Sequence, residues 1–269
     1  MGARDFINRC TEDCFVLSDC DIICNIDLDA VVEAHAKSGA DVTFVTKRVD
    51  TTGMELAEQI GVITSDADGN VTDFVMTKPQ DKVVDLYTNI MVVSRKYMLN
   101  VLADATAHGY TSFFRDIISH SIGKASYRVY SYDGWYAYIG SLESYFACSM
   151  ELLTQEAREG LFNVKNRPIL TKVRNSAPTK YNEGASVTNS LIADGCVIEG
   201  TVENCILFRG VKIGRGTVVK NSILMQDTYI GSDVSLNCVI TDKNVIVRDG
   251  RTLSGHETMP FFIGKNGSV

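Results

Sequence analysis

The last third of this chain repeats itself. Asn189-Ser190-Leu191-Ile192 returns as Asn204-Cys205-Ile206-Leu207, as Asn221-Ser222-Ile223-Leu224 and as Asn237-Cys238-Val239-Ile240, at spacings of 15, 17 and 16 residues. Each copy is followed by a second short apolar step and a turn, as in Val197-Ile198-Glu199-Gly200 and Val211-Lys212-Ile213-Gly214. A period this short marks a solenoid, in which each repeat buries its apolar face against the next. Steps of about five or six residues between β-branched positions fit a triangular β-helix with three short strands per coil. Glycine, Asn and Asp fall at the corners, where they tolerate positive φ. A helix would need apolar residues at spacings of three and four. An antiparallel sandwich is the bland rival, but it does not account for four in-register copies. The inward aliphatic ladder reads as Leu191, Val197, Val202, Ile206, Val211, Val218, Ile223, Tyr229, Val234, Val239 and Val245. Such a solenoid specifies little chemistry, since repeat domains serve acyl transfer, oligomerisation and scaffolding alike.

Two domains fit in 269 residues. Hydrophobic content of 45% and charged content of 22% describe a soluble globular chain, with no apolar run long enough to cross a bilayer. A net charge of −7, with no basic stripe, argues against a nucleic-acid surface. Of the eight cysteines, Cys10, Cys14, Cys20 and Cys24 invite a zinc reading. Their gaps are not those of a zinc knuckle, and Cys20 and Cys24 fall in a segment that reads as buried strand, so free buried thiols are the expectation. Met1-Gly2-Ala3-Arg4 carries no secretory signal, which makes the reducing cytoplasm the expected compartment.

Upstream, Cys14-Phe15-Val16-Leu17-Ser18 is continuously apolar, as in a parallel strand buried on both faces. Asp19, Asp21, Asp27 and Asp29 follow it, and an Asp just past the carboxyl end of a buried strand is where open α/β sheets place ligand-contacting groups. Asp27 or Asp29 is equally a helix N-cap for the pattern of Leu28, Val31, Val32 and His35. Strands are expected over 41–46, over 61–64 and 71–75 as a hairpin around Asp66-Ala67-Asp68-Gly69-Asn70, over 86–94 and over 127–132. Helices are expected over 95–102, 112–122 and from Ser141 to about Leu153. Strands alternating with helices indicate a doubly wound α/β layer. Pro168 and Pro178 mark an extended connector, which gives three parts: 1–153, a linker over 154–180, and a β-helix over 181–269. The tail Met259-Pro260-Phe261-Phe262-Ile263-Gly264 is apolar enough to close the last coil.

Taken in order, an Asp after the first strand, Asp73-Phe74-Val75-Met76-Thr77-Lys78-Pro79, Phe113-Phe114-Arg115-Asp116-Ile117-Ile118, Trp135-Tyr136-Ala137-Tyr138-Ile139-Gly140-Ser141 and a terminal β-helix resemble the ADP-glucose pyrophosphorylases, or glucose-1-phosphate adenylyltransferases. The resemblance covers essentially the whole chain and is nearest to the regulatory, GlgD-type subunits. It implies an α/β fold in which a partial doubly wound, Rossmann-like nucleotidyltransferase domain precedes a left-handed parallel β-helix. It also implies the reaction of ATP with glucose 1-phosphate to ADP-glucose and pyrophosphate, with Mg2+ balancing the phosphate charge. Asp21 matches one of the two metal-holding aspartates of the family. The other belongs to Trp-Arg-Asp-Val-Gly-Thr, where this chain has Tyr138 and, before it, Ala137; a phenol does not replace that carboxylate at neutral pH.

The family's Phe-x-Glu-Lys-Pro binds the sugar phosphate. Here Lys78 is retained for the phosphate while Thr77 stands for the glutamate, although Lys78 also reads as a solvated turn lysine. The family's Gly-rich phosphate loop has no counterpart, since Gly2, Gly39 and Gly53 belong to no cluster. By family proportions the resemblance implies that the chain begins inside the catalytic domain, about 100 residues late. The resemblance thus implies a regulatory, non-catalytic chain of glycogen biosynthesis, binding no Mg2+ alone and assembling with a catalytic subunit as a hetero-oligomer, a tetramer in the family, with sugar phosphate as a possible ligand. An active nucleotidyltransferase is opposed by Thr77, Ala137, Tyr138 and the absent loop. A hexapeptide-repeat acyltransferase is opposed by His256, which lies after the repeats.

Overall fold

In a computed structural model, residues 4–52, 60–79 and 81–269 are described. Gly2 and Gly53 lie outside them. Chain contacts group into two compact units, one comprising residues 1–22 and 26–134, the other 23–25 and 135–269. Residues 135–153 thus group by contact with the C-terminal part of the chain, and residues 154–180 contain a helix, Gln155–Phe162.

In the first unit the short helix α1 (Arg4–Arg9) precedes β1 (Cys14–Ser18). The chain then enters β2 (Ile22–Cys24) and α2 (Leu28–Ser38), capped by the Asp27 carboxylate at its start and by Gly39 at φ 62° at its end. There follow β3 (Val42–Asp50), the hairpin of β4 (Ile60–Ser65) and β5 (Val71–Thr77), β6 (Val83–Ser94) and α3 (Arg95–His108). A π-helical turn (Phe113–Ile118) runs into α4 (Ser119–Ser121), and β7 (Tyr127–Ser131) completes the sheet. The strand order is β5-β4-β6-β3-β7, with β1 also pairing β6. β1 and β3 both run antiparallel to β6, and β7 is parallel to β3, so β1, β3 and β7 share one direction around a reversed neighbour. β1 thus meets an antiparallel partner instead of the parallel ones its composition suggested, and Val16 on it is 39% exposed.

Phe44, Phe74, Tyr87 and Tyr127 form an aromatic cluster on one face of this sheet, with Phe44 edge-on to both tyrosines at 5.6 and 5.7 Å. α3 adds Met98 and the π-helical turn adds Ile118 to that cluster. α2 packs against β3, β6 and β7, and its buried His35 approaches the Thr43 hydroxyl of β3 at 2.8 Å. Burial pushes the His35 imidazole below its ordinary range against the opposing pull of Asp41.

In the second unit, β2 pairs β8 (Tyr136–Tyr138), and Ser141 forms a capping box with Ser144 at the start of α5 (Leu142–Glu151). α6 (Gln155–Phe162) follows; its last turn and the segment beyond are tied to Asn25, whose side chain donates to the Leu161 and Arg167 carbonyls at 2.8 and 3.0 Å. From Lys180 onward the chain winds through three parallel five-stranded sheets, one strand of each per coil. This is the parallel β-helix that the repeat predicted. Its core holds Ile198, Ile213, Ile230 and Val247 from one face, Val202, Val219 and Leu236 from another, and Leu207, Leu224 and Ile263 from the third.

The predicted inward ladder holds at Val202, Val211, Val234, Val239 and Val245. At Leu191, Val197, Ile206, Val218, Ile223 and Tyr229 the inward side chain is instead the next residue along, which is the second position of each two-residue strand and the middle one of Val218–Lys220. Ile223 is nevertheless fully buried, since the outward stripe of Ile206, Ile223 and Ile240 lies under Phe146 and Leu142 of α5. The corners show a second displacement. Asn189, Asn204 and Asn221 take φ of 40°, 53° and 45°, but the fourth corner belongs to Cys238 at φ 50°, not Asn237. The Asn237 side chain still accepts from Asn221 at 3.0 Å, ending a ladder that runs from Asn189 to Asn204 at 2.8 Å and on to Asn221 at 3.3 Å. The tail closes the last coil as expected. Phe261–Ile263 pairs with Val239–Thr241, and the Val269 amide donates to the Ile246 carbonyl at 2.9 Å.

Candidate functional site

β1 carries the chain to Asp19 and Asp21. The Asp19 amide donates to the carbonyl of Asn89 at 3.3 Å, so the end of β1 is held against the middle of β6. Asn89 sits there at φ 57°, a left-handed residue inside a twelve-residue strand, opposite a register shift between Phe44 and Thr46 of β3. Left-handed backbone within a strand is costly for any residue but glycine, and Asn is among the residues that tolerate it best. Asp21 is half-buried, and its Oδ1 is a buried oxygen with no hydrogen-bond partner among the described residues. An orphaned carboxylate oxygen at the carboxyl end of an α/β strand suits a cationic or hydrogen-bond-donating ligand.

Thr77 ends β5 and Lys78 follows it, both exposed. Among the described residues Thr77 Oγ1 donates to the neighbouring Lys78 carbonyl alone, at 3.4 Å, and not to a strand partner. These two residues stand together in the first unit, as does Asp21. Tyr138 belongs to the second unit, at the end of β8, with 40% of its surface exposed. Its ring folds over Gly140, where a Cβ would lie 2.6 Å from Tyr138 Cε1; any larger residue would displace the phenol. Ala137, in place of the family's arginine, is 3% exposed, so no long cation projects from that position.

Asp116 of the Phe-Phe-Arg-Asp-Ile-Ile stretch serves the local fold. Its Oδ2 accepts the amides of Thr111 and Ser112 at 2.9 Å each, and these bonds, with Arg115 adding its charge, hold the carboxyl at about 2. The cysteines are free; Cys196, Cys205 and Cys238 are buried, whereas Cys20, expected inside a strand, is exposed in the bend after β1. Among the described residues no three His, Cys, Asp or Glu side chains converge as metal ligands. Of the two positions that the resemblance gives to Mg2+, Asp21 in the first unit offers an orphaned carboxylate oxygen, which suits a hard cation, and Tyr138 in the second unit offers a phenol, which does not. His256 is exposed in a terminal loop, its Nδ1 3.0 Å from the Thr258 hydroxyl, and does not sit between coils. Sequence reasoning passed over Asn89. The available signal was a single Asn in an otherwise apolar and β-branched run from Leu86 to Val93.

The profile of the nucleotidyl transferase family matches residues 1–155, and that of the GlmU-like C-terminal hexapeptide region matches 175–258. The chain is similar to the glycogen biosynthesis protein GlgD of Bacillus subtilis (strain 168), with 32% identity over 97% of this chain and 65% of that protein. It is similar to the GlgD of Geobacillus stearothermophilus, with 38% identity over 80% of this chain and 52% of the relative. Glucose-1-phosphate adenylyltransferase of Desulfitobacterium hafniense (strain DSM 10664 / DCB-2) is 27% identical over 91% of this chain and 61% of the enzyme. The chain thus spans between half and two thirds of the length of these relatives.

Proposed function

Because the chain belongs to the nucleotidyl transferase family, we propose that it acts in glycogen biosynthesis as a regulatory, non-catalytic partner of a glucose-1-phosphate adenylyltransferase. The observation that carries this reading is the identity of Tyr138. Where the resembling enzymes place a metal-holding carboxylate, this chain ends β8 in a phenol whose ring folds over Gly140. Similarity to two GlgD proteins supports the pathway. Thr77 in place of a glutamate loosens sugar recognition, while Lys78 matches the family's phosphate-binding lysine, so a sugar phosphate remains a candidate ligand without being a substrate. No helix among the described residues is long and apolar enough to cross a membrane.

A chain without chemistry of its own can alter a reaction only by binding one conformation of its partner better than another. The expected assembly is a hetero-oligomer, a tetramer if family proportions hold, in which this chain shifts the partner's KM or its response to effectors. The test is pyrophosphate release from ATP, glucose 1-phosphate and Mg2+. This chain alone should give none, and its addition to the adenylyltransferase of the same organism should change the partner's kinetics. Turnover by the chain alone at about 1 per second or more would sink the proposal. A second reading, an active sugar-phosphate nucleotidyltransferase, is favoured by the orphaned Asp21 oxygen, and the same assay decides it.

A further inference from the structure

Within the second unit, a cavity of about 420 Å³ lies between α5 and the corner of the β-helix where the asparagines stack. That volume falls in the range of small-molecule sites. On the α5 side it is lined by Phe146, Ala147 and Met150, with Leu153 and Thr154 from the turn that follows. On the β-helix side it is lined by Asn189, Asn204 and Asn221, together with Glu257.

The carboxamide wall can be read group by group. A carboxamide has two N–H donors and two acceptor lone pairs. Asn204 accepts from Asn189 at 2.8 Å and donates to Asn221 at 3.3 Å, so the ladder uses one donor and one acceptor of this rung. Asn221 is used in the same way, donating to Asn237 at 3.0 Å. Each of these rungs keeps one N–H and one lone pair for a ligand, and strand stacking repeats the pair at about 4.8 Å. A hydroxyl donates and accepts at a single oxygen, which matches such a pair. Phosphate and carboxylate only accept, and here they would meet the carboxylate of Glu257 with no cation in the lining.

We propose that this groove binds a neutral saccharide, laying the apolar face of a sugar ring on the α5 wall and its hydroxyls on the asparagine ladder. The site lies wholly within the second unit, and its lining includes none of Asp21, Thr77 and Lys78. Its assignment to α-linked glucose, rather than to neutral sugars in general, rests on the glycogen reading above.

Isothermal titration calorimetry of the whole chain with maltotriose should show saturable binding in about the millimolar range, as an open groove with a few hydrogen bonds permits. Glucose 1-phosphate should not compete for this site. Two variants locate it. Asn204→Gly keeps the positive-φ corner and removes the middle carboxamide; Ala147→Trp fills the cavity from an exposed position on α5 and leaves the ladder intact. Each should weaken binding by about tenfold or more while the thermal melt stays cooperative. Failure of maltotriose, lactose and cellotriose all to bind would overturn the proposal, as would maltotriose binding unchanged in Ala147→Trp. Binding of lactose or cellotriose but not maltotriose would keep the pocket and overturn its link to glycogen.

Discussion

In a Gly214→Ala variant the added methyl would lie 2.5 Å from the carbonyl oxygen of Gly231, 2.6 Å from its carbonyl carbon and 2.8 Å from the amide nitrogen of Ser232. All three are backbone atoms of the next coil. That coil is tied on both sides, because Gly214 donates to the Ile230 carbonyl at 2.9 Å and Gly231 to the Val247 carbonyl at 2.8 Å. Where flexible side chains absorb an overpacked methyl the cost is about 1–3 kcal/mol; here only backbone can move, so the upper end of about 3 kcal/mol applies. For a domain of this size that lowers Tm by about 6–12 °C. Gly184→Ala is the control. Its φ is 86° and nothing stands within 4 Å of the new methyl, so only the left-handed backbone cost of about 1–2 kcal/mol remains. Melts followed by β-sheet circular dichroism should rank Gly214→Ala well below Gly184→Ala, itself below the parent chain. A Gly214→Ala protein melting within about 2 °C of the parent would refute the close approach of the coils.

Phe146→Ala, which empties a buried position against Ile223 and Ile240, should cost about 3–5 kcal/mol. Correspondingly, a fragment of residues 135–269 should run as a soluble β-rich species on size-exclusion chromatography, while 181–269 should self-associate; equal behaviour would remove α5 from this unit. Thr77→Glu with Tyr138→Asp should yield no turnover of ATP and glucose 1-phosphate, and adding Ala137→Arg should lower the melting temperature by forcing a guanidinium into a 3% exposed position. Burial lowers the His35 pKa from 6.5, so the unfolded chain takes up protons first as pH falls. Its contribution to stability is complete above about pH 6.5 and is lost as pH falls through the folded value, so denaturant midpoints should drop from pH 7.5 to 5, less steeply in His35→Gln. Asp116→Asn should speed hydrogen exchange at Thr111 and Ser112, whose amides its carboxylate accepts; unchanged exchange would remove that role.

Stacking of the repeat was written in the chain, because a coil of about sixteen residues with aliphatic steps and corner asparagines has few other ways to bury its apolar positions. The order of strands and helices before it, the caps at Asp27 and Ser141 and the hairpin at Asp66–Asn70 were equally local properties, set by residues within one turn of each other. What the sequence could not decide were matters of a single residue's register. Val197 against Ile198, Tyr229 against Ile230 and Asn237 against Cys238 differ by one step in the strand, and which of each pair turns inward depends on the coil above and below. The place of α5 was also hidden. Its apolar positions announced a helix with something to cover, but only the three-dimensional stripe of Ile206, Ile223 and Ile240 shows that the β-helix is what it covers. For the candidate site, Asp21, Thr77, Lys78 and Tyr138 could be named from the chain alone. The orphaned oxygen of Asp21, the left-handed backbone of Asn89 and the groove beside the asparagine ladder could not, because burial, strain and enclosure are created by neighbours distant in sequence.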